Sequence, residues 1–294
     1  MELQRWSHPT SAGFSLRGWH SPPSGKPVLQ FVHGNGFCSR SYQPMLRRLH
    51  DHFDLWLVDV QGQGESDAGE AFVGWHGNGR LLEETTHALR ERFGDAARYA
   101  LGHSFGGVAT AYLLAAQTQL FRRAVLLDPV LFSPMMIGAS AFSAWLGRDP
   151  PGGMSERARR RRHTWPNREA AHVDLYDRGI FKGWDDEALR AHIAHALRDN
   201  SDGSVSLRCA PDLEATIFAS WPKALWPTLR RVRTPTLVLH GDISYPFVGA
   251  SARRWAKACP NVTERQVQGG HCFMQQHPDD TARAVTNFLL TETS

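Results

Sequence analysis

The amino-acid sequence predicts an α/β protein: a mostly parallel central sheet with helices on both faces, interrupted by a helical insertion. Three observations carry this prediction. Short apolar runs that stop at Gly, Asp or Ser alternate with helix-patterned stretches, the rhythm of a parallel sheet covered by helices. The rhythm breaks over residues 130–229 and then resumes. With 294 residues, 41% of them hydrophobic, the chain is long enough for one large domain or for a core with an insertion, and the break selects the second.

In chain order, Val28–Val32 is apolar apart from Gln30 and turns at His33-Gly34. Residues 54–60 form the next run, stopping before Gly62. Residues 98–102 lead into Ser104, with a helix pattern over 108–116. Arg123–Leu127 ends at Asp128-Pro129, and residues 235–239 end at His240-Gly241-Asp242. Val262–Val267 is the last strand, and an amphipathic helix over 279–290 closes the chain. Strands this evenly apolar are buried on both faces. The interruption lacks such a run and gives short helical patterns separated by Pro150-Pro151-Gly152-Gly153, Pro166 and Gly183. Residues 1–130 and 230–294 are therefore assigned to the core domain and 131–229 to a helical cap.

Lys and Arg outnumber Asp and Glu by 33 to 29, a formal charge of +4, and this mixed balance does not by itself imply nucleic acid. Cys38, Cys209, Cys259 and Cys272 form no CxxC pair, so neither a zinc knuckle nor a disulfide framework is expected. Reduced thiols suit a cytoplasmic location. Residues 1–14 contain no apolar run of the secretory kind, and no stretch of about 18 apolar residues predicts a membrane span.

The strongest local signal is Gly102-His103-Ser104-Phe105-Gly106, followed by Gly107, between a strand and a helix. A serine on so sharp a turn is strained, and only glycine-sized neighbours two residues away avoid collision with it. G-x-S-x-G arises often by chance. A strand before and a helix after select the reading of Ser104 as a nucleophile. The helix start favours negative charge, which aims the Phe105 amide at an oxyanion. A second amide comes from His33-Gly34-Asn35-Gly36-Phe37 and is assigned to Asn35; its glycines also make a tight turn, and that turn aims the amide. A serine hydroxyl needs a base at neutral pH. Among fifteen histidines, His271 lies in a glycine-containing loop between the last strand and the last helix, and is assigned the role. His103 points away from Ser104 and packs behind the turn.

These segments, with Asp59-Val60-Gln61-Gly62-Gln63-Gly64-Glu65-Ser66 and residues 235–241, make the chain resemble the α/β-hydrolase-fold serine hydrolases, esterase- or lipase-like, with a helical cap. The matching motifs span nearly the whole chain. The resemblance implies nucleophile, acid and histidine in that chain order. Two positions depart from it. Gln61 replaces the usual arginine, which removes a structural charge. More seriously, the usual acid position, three residues after Gly241, holds Ser244. Some relatives carry the acid at the end of the preceding strand, where this chain has Asp128. Asp242 is the alternative, although an aspartate there ordinarily makes a turn; Asp128-Pro129 could likewise serve only to end its strand. Asp128 is preferred, with Ser244 as an auxiliary partner. The implied reaction is two-step acyl transfer: His271 takes the proton as Ser104 attacks a carbonyl, Asp128 orients the ring, and water releases the acyl group. No metal or organic cofactor is required.

The insertion is rich in large apolar residues. Most are expected in the cap's own core, while Met135 and Met136 join Phe37, Phe105 and Phe273 around an apolar pocket suited to a small apolar ester. Arg157, Arg159, Arg160, Arg161, Arg162 and His163 read as a solvated cap face rather than a nucleic-acid or membrane site, since no stacking platform accompanies them. His192 and His195 share a helical face, but no third metal ligand is evident. Three functions remain: a serine hydrolase of small to medium apolar carboxylic esters, a carbon-carbon bond or lactone hydrolase using the cap arginines, and a ligand-binding protein that lost turnover, for which Ser244 speaks. Epoxide hydrolase and dehalogenase chemistry is disfavoured, because those relatives have an aspartate at the position of Ser104.

Overall fold

The computed structural model describes residues 1–147 and 153–291. It begins with two strands that the apolar runs did not announce. β1 (Gln4–Pro9) and β2 (Ser15–His20) form an antiparallel hairpin whose turn contains Gly13 at φ 79°. β2 alternates half-buried and buried residues, as a strand near a sheet edge does, so no continuous apolar run marks it. Next come β3 (Val28–Val32), α1 (Gln43–His50), β4 (Asp54–Asp59), α2 (Gly74–Phe93), β5 (Arg98–His103), α3 (Ser104–Ala116) and β6 (Arg123–Leu127).

Between β6 and the next sheet strand lie α4 (Pro134–Trp145), α5 (Met154–Arg160), β7 (Thr164–Trp165), α6 (Arg168–Leu175), α7 (Asp186–Ala196), β8 (Leu197–Asp199), β9 (Val205–Leu207), α8 (Pro211–Phe218) and α9 (Leu225–Leu229). The sheet resumes with β10 (Thr236–Gly241), α10 (Pro246–Ala258), β11 (Val262–Val267), α11 (Phe273–Gln276) and α12 (Pro278–Leu290).

The eight-stranded sheet has the order β1-β2-β4-β3-β5-β6-β10-β11, parallel from β4 onward. Every residue of β3, β4 and β10 is buried, whereas β11, at the edge, is largely open. Alternate side chains of the same strands feed two cores. Val28, Val32, Val58, Leu126 and Val238 pack with α2, α3 and Trp255 of α10; Leu29, Phe31, Leu55, Leu101 and Leu239 pack with α1 and α12. The ends of β3, β5, β6 and β10 thereby come to one edge, where the loops carrying the candidate residues gather.

The inserted segment is not purely helical. β7, β9 and β8 form a small antiparallel sheet, β8 and β9 being joined by a turn through Ser201-Asp202-Gly203. Strands of two or three residues are too short to show a period, which is why the sequence pattern missed them. Pro150, Pro151 and Gly152 of the expected breaker lie outside the described residues. No helix among the described residues is long and apolar enough to cross a membrane.

Candidate active site

Ser104 occupies the turn between β5 and α3 at φ 53°. Two close approaches explain its glycine neighbours. A Cβ on Gly106 would run into the carbonyl oxygens of His33 and Val32, and one on Gly102 would lie 2.7 Å from the Gly106 carbonyl oxygen. A side chain at 106 would push the turn away from β3, and one at 102 would push β5 away from the first turns of α3. Because α3 starts at Ser104, the Phe105 amide belongs to the first helical turn and has no intrahelical acceptor.

His271 Nε2 lies 2.9 Å from Ser104 Oγ, and His271 Nδ1 lies 2.6 Å from Asp128 Oδ2. Asp128 is fully buried at the end of β6 with φ 42°, an uncommon conformation for a residue other than glycine. Its charge is surrounded by donors. Oδ1 accepts the Gly241 amide at 2.9 Å, and Oδ2 accepts both the Ser244 hydroxyl and the His271 ring. A buried carboxylate is tolerable only when satisfied in this way. Ser244, standing where the resemblance would put the acid, thus donates to the carboxylate at the end of the neighbouring strand. Asp242 does not join them. Its Oδ1 accepts the Gly269 amide at 2.8 Å, the turn-making role its sequence context suggested.

Behind the serine, a chain of hydrogen bonds links three loops. The Gly34 amide donates to Tyr42 Oη at 3.2 Å, Tyr42 Oη lies 2.6 Å from His103 Nδ1, and His103 Nε2 lies 3.0 Å from the His271 carbonyl oxygen. Burial holds the His103 pKa well below the usual imidazole value, so the ring is neutral. One tautomer then satisfies every partner: Nε2–H donates to His271, and Nδ1 accepts from the tyrosine hydroxyl. His103 therefore packs behind the turn, as expected from its position. Asn35 is held in place through its side chain, whose Oδ1 accepts from Gln63 Nε2 at 3.0 Å.

Ser104, His271 and Asn35 line a cavity of about 400 Å³. Its walls include Phe37, Phe105, Phe132, Met136, Phe181 and Ile217. Two expected pocket residues are elsewhere. Met135 is 81% exposed on the outer side of α4, one position round the helix from Met136. Phe273 is buried in the core between the sheet, α1 and α12, because its place at the start of α11 turns the ring beneath the loop rather than over it. The sequence reading missed Trp75, whose ring centroid lies 4.7 Å from that of Phe105, and Tyr245, whose ring lies 4.9 Å from His271. No pattern marked Trp75; Tyr245 follows the conspicuous Ser244.

Arg161 departs from the expected solvated face. It lines the cavity and lies 2.8 Å from Glu214, with the two side chains 27% and 7% exposed. Burial raises the Glu214 pKa, and the guanidinium works against that shift. His192 is also buried, against Phe37, Phe181 and Trp184, with Nδ1 3.1 Å from Ser41 Oγ. His195 instead meets Gln43 Oε1 at 2.9 Å, so the two rings have separate partners.

A doubly covered parallel sheet with a serine, an imidazole and a carboxylate in line at the carboxyl ends of its strands is the architecture of a hydrolase-type α/β protein. The profile of the "Alpha/beta hydrolase family" matches residues 31–284. The chain belongs to that family. It is 25% identical over 264 residues to the 2-(acetamidomethylene)succinate hydrolase of Mesorhizobium japonicum, covering 90% of this chain and 88% of the relative. It is 28% identical over 211 residues to the type I acyl-CoA thioesterase mpaH of Penicillium roqueforti, covering 67% of this chain; the match spans only 45% of that relative's length. The crystal structure of an E-2-(acetamidomethylene)succinate hydrolase superposes with a TM-score of 0.77 at 22% identity, covering 98% of this chain and all of that one, a likeness of fold.

Proposed function

We propose that the protein is a serine hydrolase that cleaves small to medium apolar carboxylic esters through an acyl-enzyme. One observation carries the reading: the His271 ring bridges Ser104 Oγ at 2.9 Å and Asp128 Oδ2 at 2.6 Å beside an apolar cavity. In the first step His271 Nε2 takes the hydroxyl proton as Ser104 Oγ bonds to the substrate carbonyl, and Asp128 stabilises the resulting imidazolium. The Phe105 and Asn35 amides receive the oxyanion. The protonated ring returns its proton to the departing alcohol, and water then repeats the sequence on the acyl-serine.

The apolar walls favour an uncharged acyl group, and the cavity size fits a ligand of moderate length. A thioester is the second reading, favoured by the similarity to an acyl-CoA thioesterase; the same steps apply with a thiol leaving. A fluorophosphonate probe tests the nucleophile. Labelling of wild type that disappears in Ser104→Ala supports the proposal, and folded wild type that stays unlabelled favours a binding protein. A series of p-nitrophenyl esters of graded chain length then reads pocket depth, and background rates throughout would remove the esterase reading.

A further inference from the structure

Helix α4 presents no charged face to water. None of the eighteen residues from 130 to 147 is charged. Its inner side sends Met136 and Ser140 to the cavity and packs Ile137 against the core. Its outer side carries Met135, Phe142 and Trp145, which are 81%, 60% and 79% exposed, with the last two rings stacked at 5.9 Å. A helix that covers a core on one side ordinarily carries polar residues on the other; α4 is apolar on both. Met154 and Ile180 line the same cavity and are themselves exposed, so the cavity's rim is apolar too. From Met154 runs α5, which buries Ser155 and Ala158 and leaves Arg157, Arg159 and Arg160 outside. Glu156 pairs with Arg160 at 2.6 Å, and with three arginines against one glutamate α5 keeps a formal charge of +2.

Exposed Trp and Phe on α4 and arginines on α5, two helices that border one cavity, give the composition of a surface that settles into the headgroup layer of an anionic bilayer. We propose that α4 and α5 form a docking face for an anionic lipid surface, with the apolar rim of the cavity turned toward the bilayer. The alternative occupant of α4 is a second copy of the chain. Twofold pairing through α4 would bring two arginine-bearing α5 helices toward each other, whereas anionic headgroups meet those arginines with opposite charge.

The test is co-sedimentation of the full chain with vesicles of phosphatidylcholine alone and of an equimolar mixture with phosphatidylglycerol. Wild type is expected to pellet with the mixed vesicles. Phe142→Glu with Trp145→Glu, and separately Arg157→Glu with Arg160→Glu, should each weaken partitioning by about tenfold or more. Both double variants should keep wild-type turnover of a water-soluble ester, and Ser104→Ala should pellet like wild type, so lipid binding is read apart from hydrolysis. Wild type left in the supernatant with mixed vesicles would overturn the proposal. So would equal pelleting on both vesicle types. A dimer in light scattering that the Phe142→Glu with Trp145→Glu variant dissociates, without vesicle binding, would assign the face to a second copy instead.

Discussion

Replacing Asp128 by asparagine keeps the shape of the side chain and exchanges one oxygen for an NH2 group. In the structure Oδ1 takes the Gly241 amide at 2.9 Å, while Oδ2 takes the Ser244 hydroxyl and His271 Nδ1, the latter at 2.6 Å. Asparagine has one acceptor oxygen for these three donors. If that oxygen stays on Gly241, the NH2 group donates to His271 Nδ1 and drives the ring proton to Nε2, facing Ser104. A ring in that tautomer has no lone pair for the serine proton. If the amide flips, its NH2 group opposes the Gly241 N–H in a buried site, at a cost of roughly 1–3 kcal/mol. The first arrangement is preferred, and tautomer reversal of this kind costs about 10⁴ in turnover. That is about 5 kcal/mol of transition-state stabilisation. Asp242→Asn should change turnover by less than about threefold, because an amide oxygen still accepts the Gly269 N–H. The assay is kcat/KM on p-nitrophenyl butyrate, with thermal melts of each variant to exclude unfolding. Asp128→Asn within tenfold of wild type, or Asp242→Asn the more damaged, would refute the argument.

Ser244→Ala should remove one of the donors to Asp128 while leaving the imidazole and Gly241 bonds, lowering kcat/KM by about tenfold, the worth of one hydrogen bond; a loss as large as that of Asp128→Asn would show that Ser244 does more than support the acid. Arg161→Met should destabilise the fold by roughly 3 kcal/mol, because it strands the buried Glu214 carboxylate, and adding Glu214→Gln should restore most of that in urea unfolding; no recovery in the double variant would mean that the two side chains are not coupled. Burial lowers the His192 pKa to about 3, against 6.5 ordinarily. A histidine neutral in the fold is charged in the unfolded chain below about pH 6.5, so its contribution is intact above that pH and is lost as pH falls toward 3. At pH 5 the loss is about 2 kcal/mol. His192→Gln should therefore lose less stability than wild type between pH 7.5 and pH 5, and identical pH slopes for the two would contradict a buried neutral ring.

The strands at the centre of the sheet were legible because both of their faces are buried, and nothing polar interrupts residues such as Leu55, Trp56 and Leu57. The hairpin of β1 and β2 was not, since Leu16 and His20 are buried while Ser15 and Arg17 are half-open. Ser104 was legible because its geometry demands glycine at 102 and 106, a demand written in the residues themselves. His271 followed from its place between the last strand and the last helices. Asp128 was legible only by weighing two aspartates, and its three donors come from the ends of two other strands, β10 and β11. The inserted segment was the least legible part. Arg161 and Arg160 are adjacent in a run of arginines, yet one faces the cavity beside Glu214 and the other pairs outside with Glu156. Where a side chain points just past the end of a helix depends on tertiary packing, and local pattern does not record it.

The carboxylate at the end of β6 has a further consequence. β5 and β6 are adjacent strands, so the spacing of their tips is set by backbone pairing and not by the length of any loop. The turn after β10 does not supply the carboxylate that meets His271 and contributes Tyr245 to the chamber wall instead. A protein engineer reshaping that turn could alter the chamber while leaving the strand-borne distance between Ser104 and Asp128 untouched, a latitude that a scaffold with its aspartate in the turn does not offer.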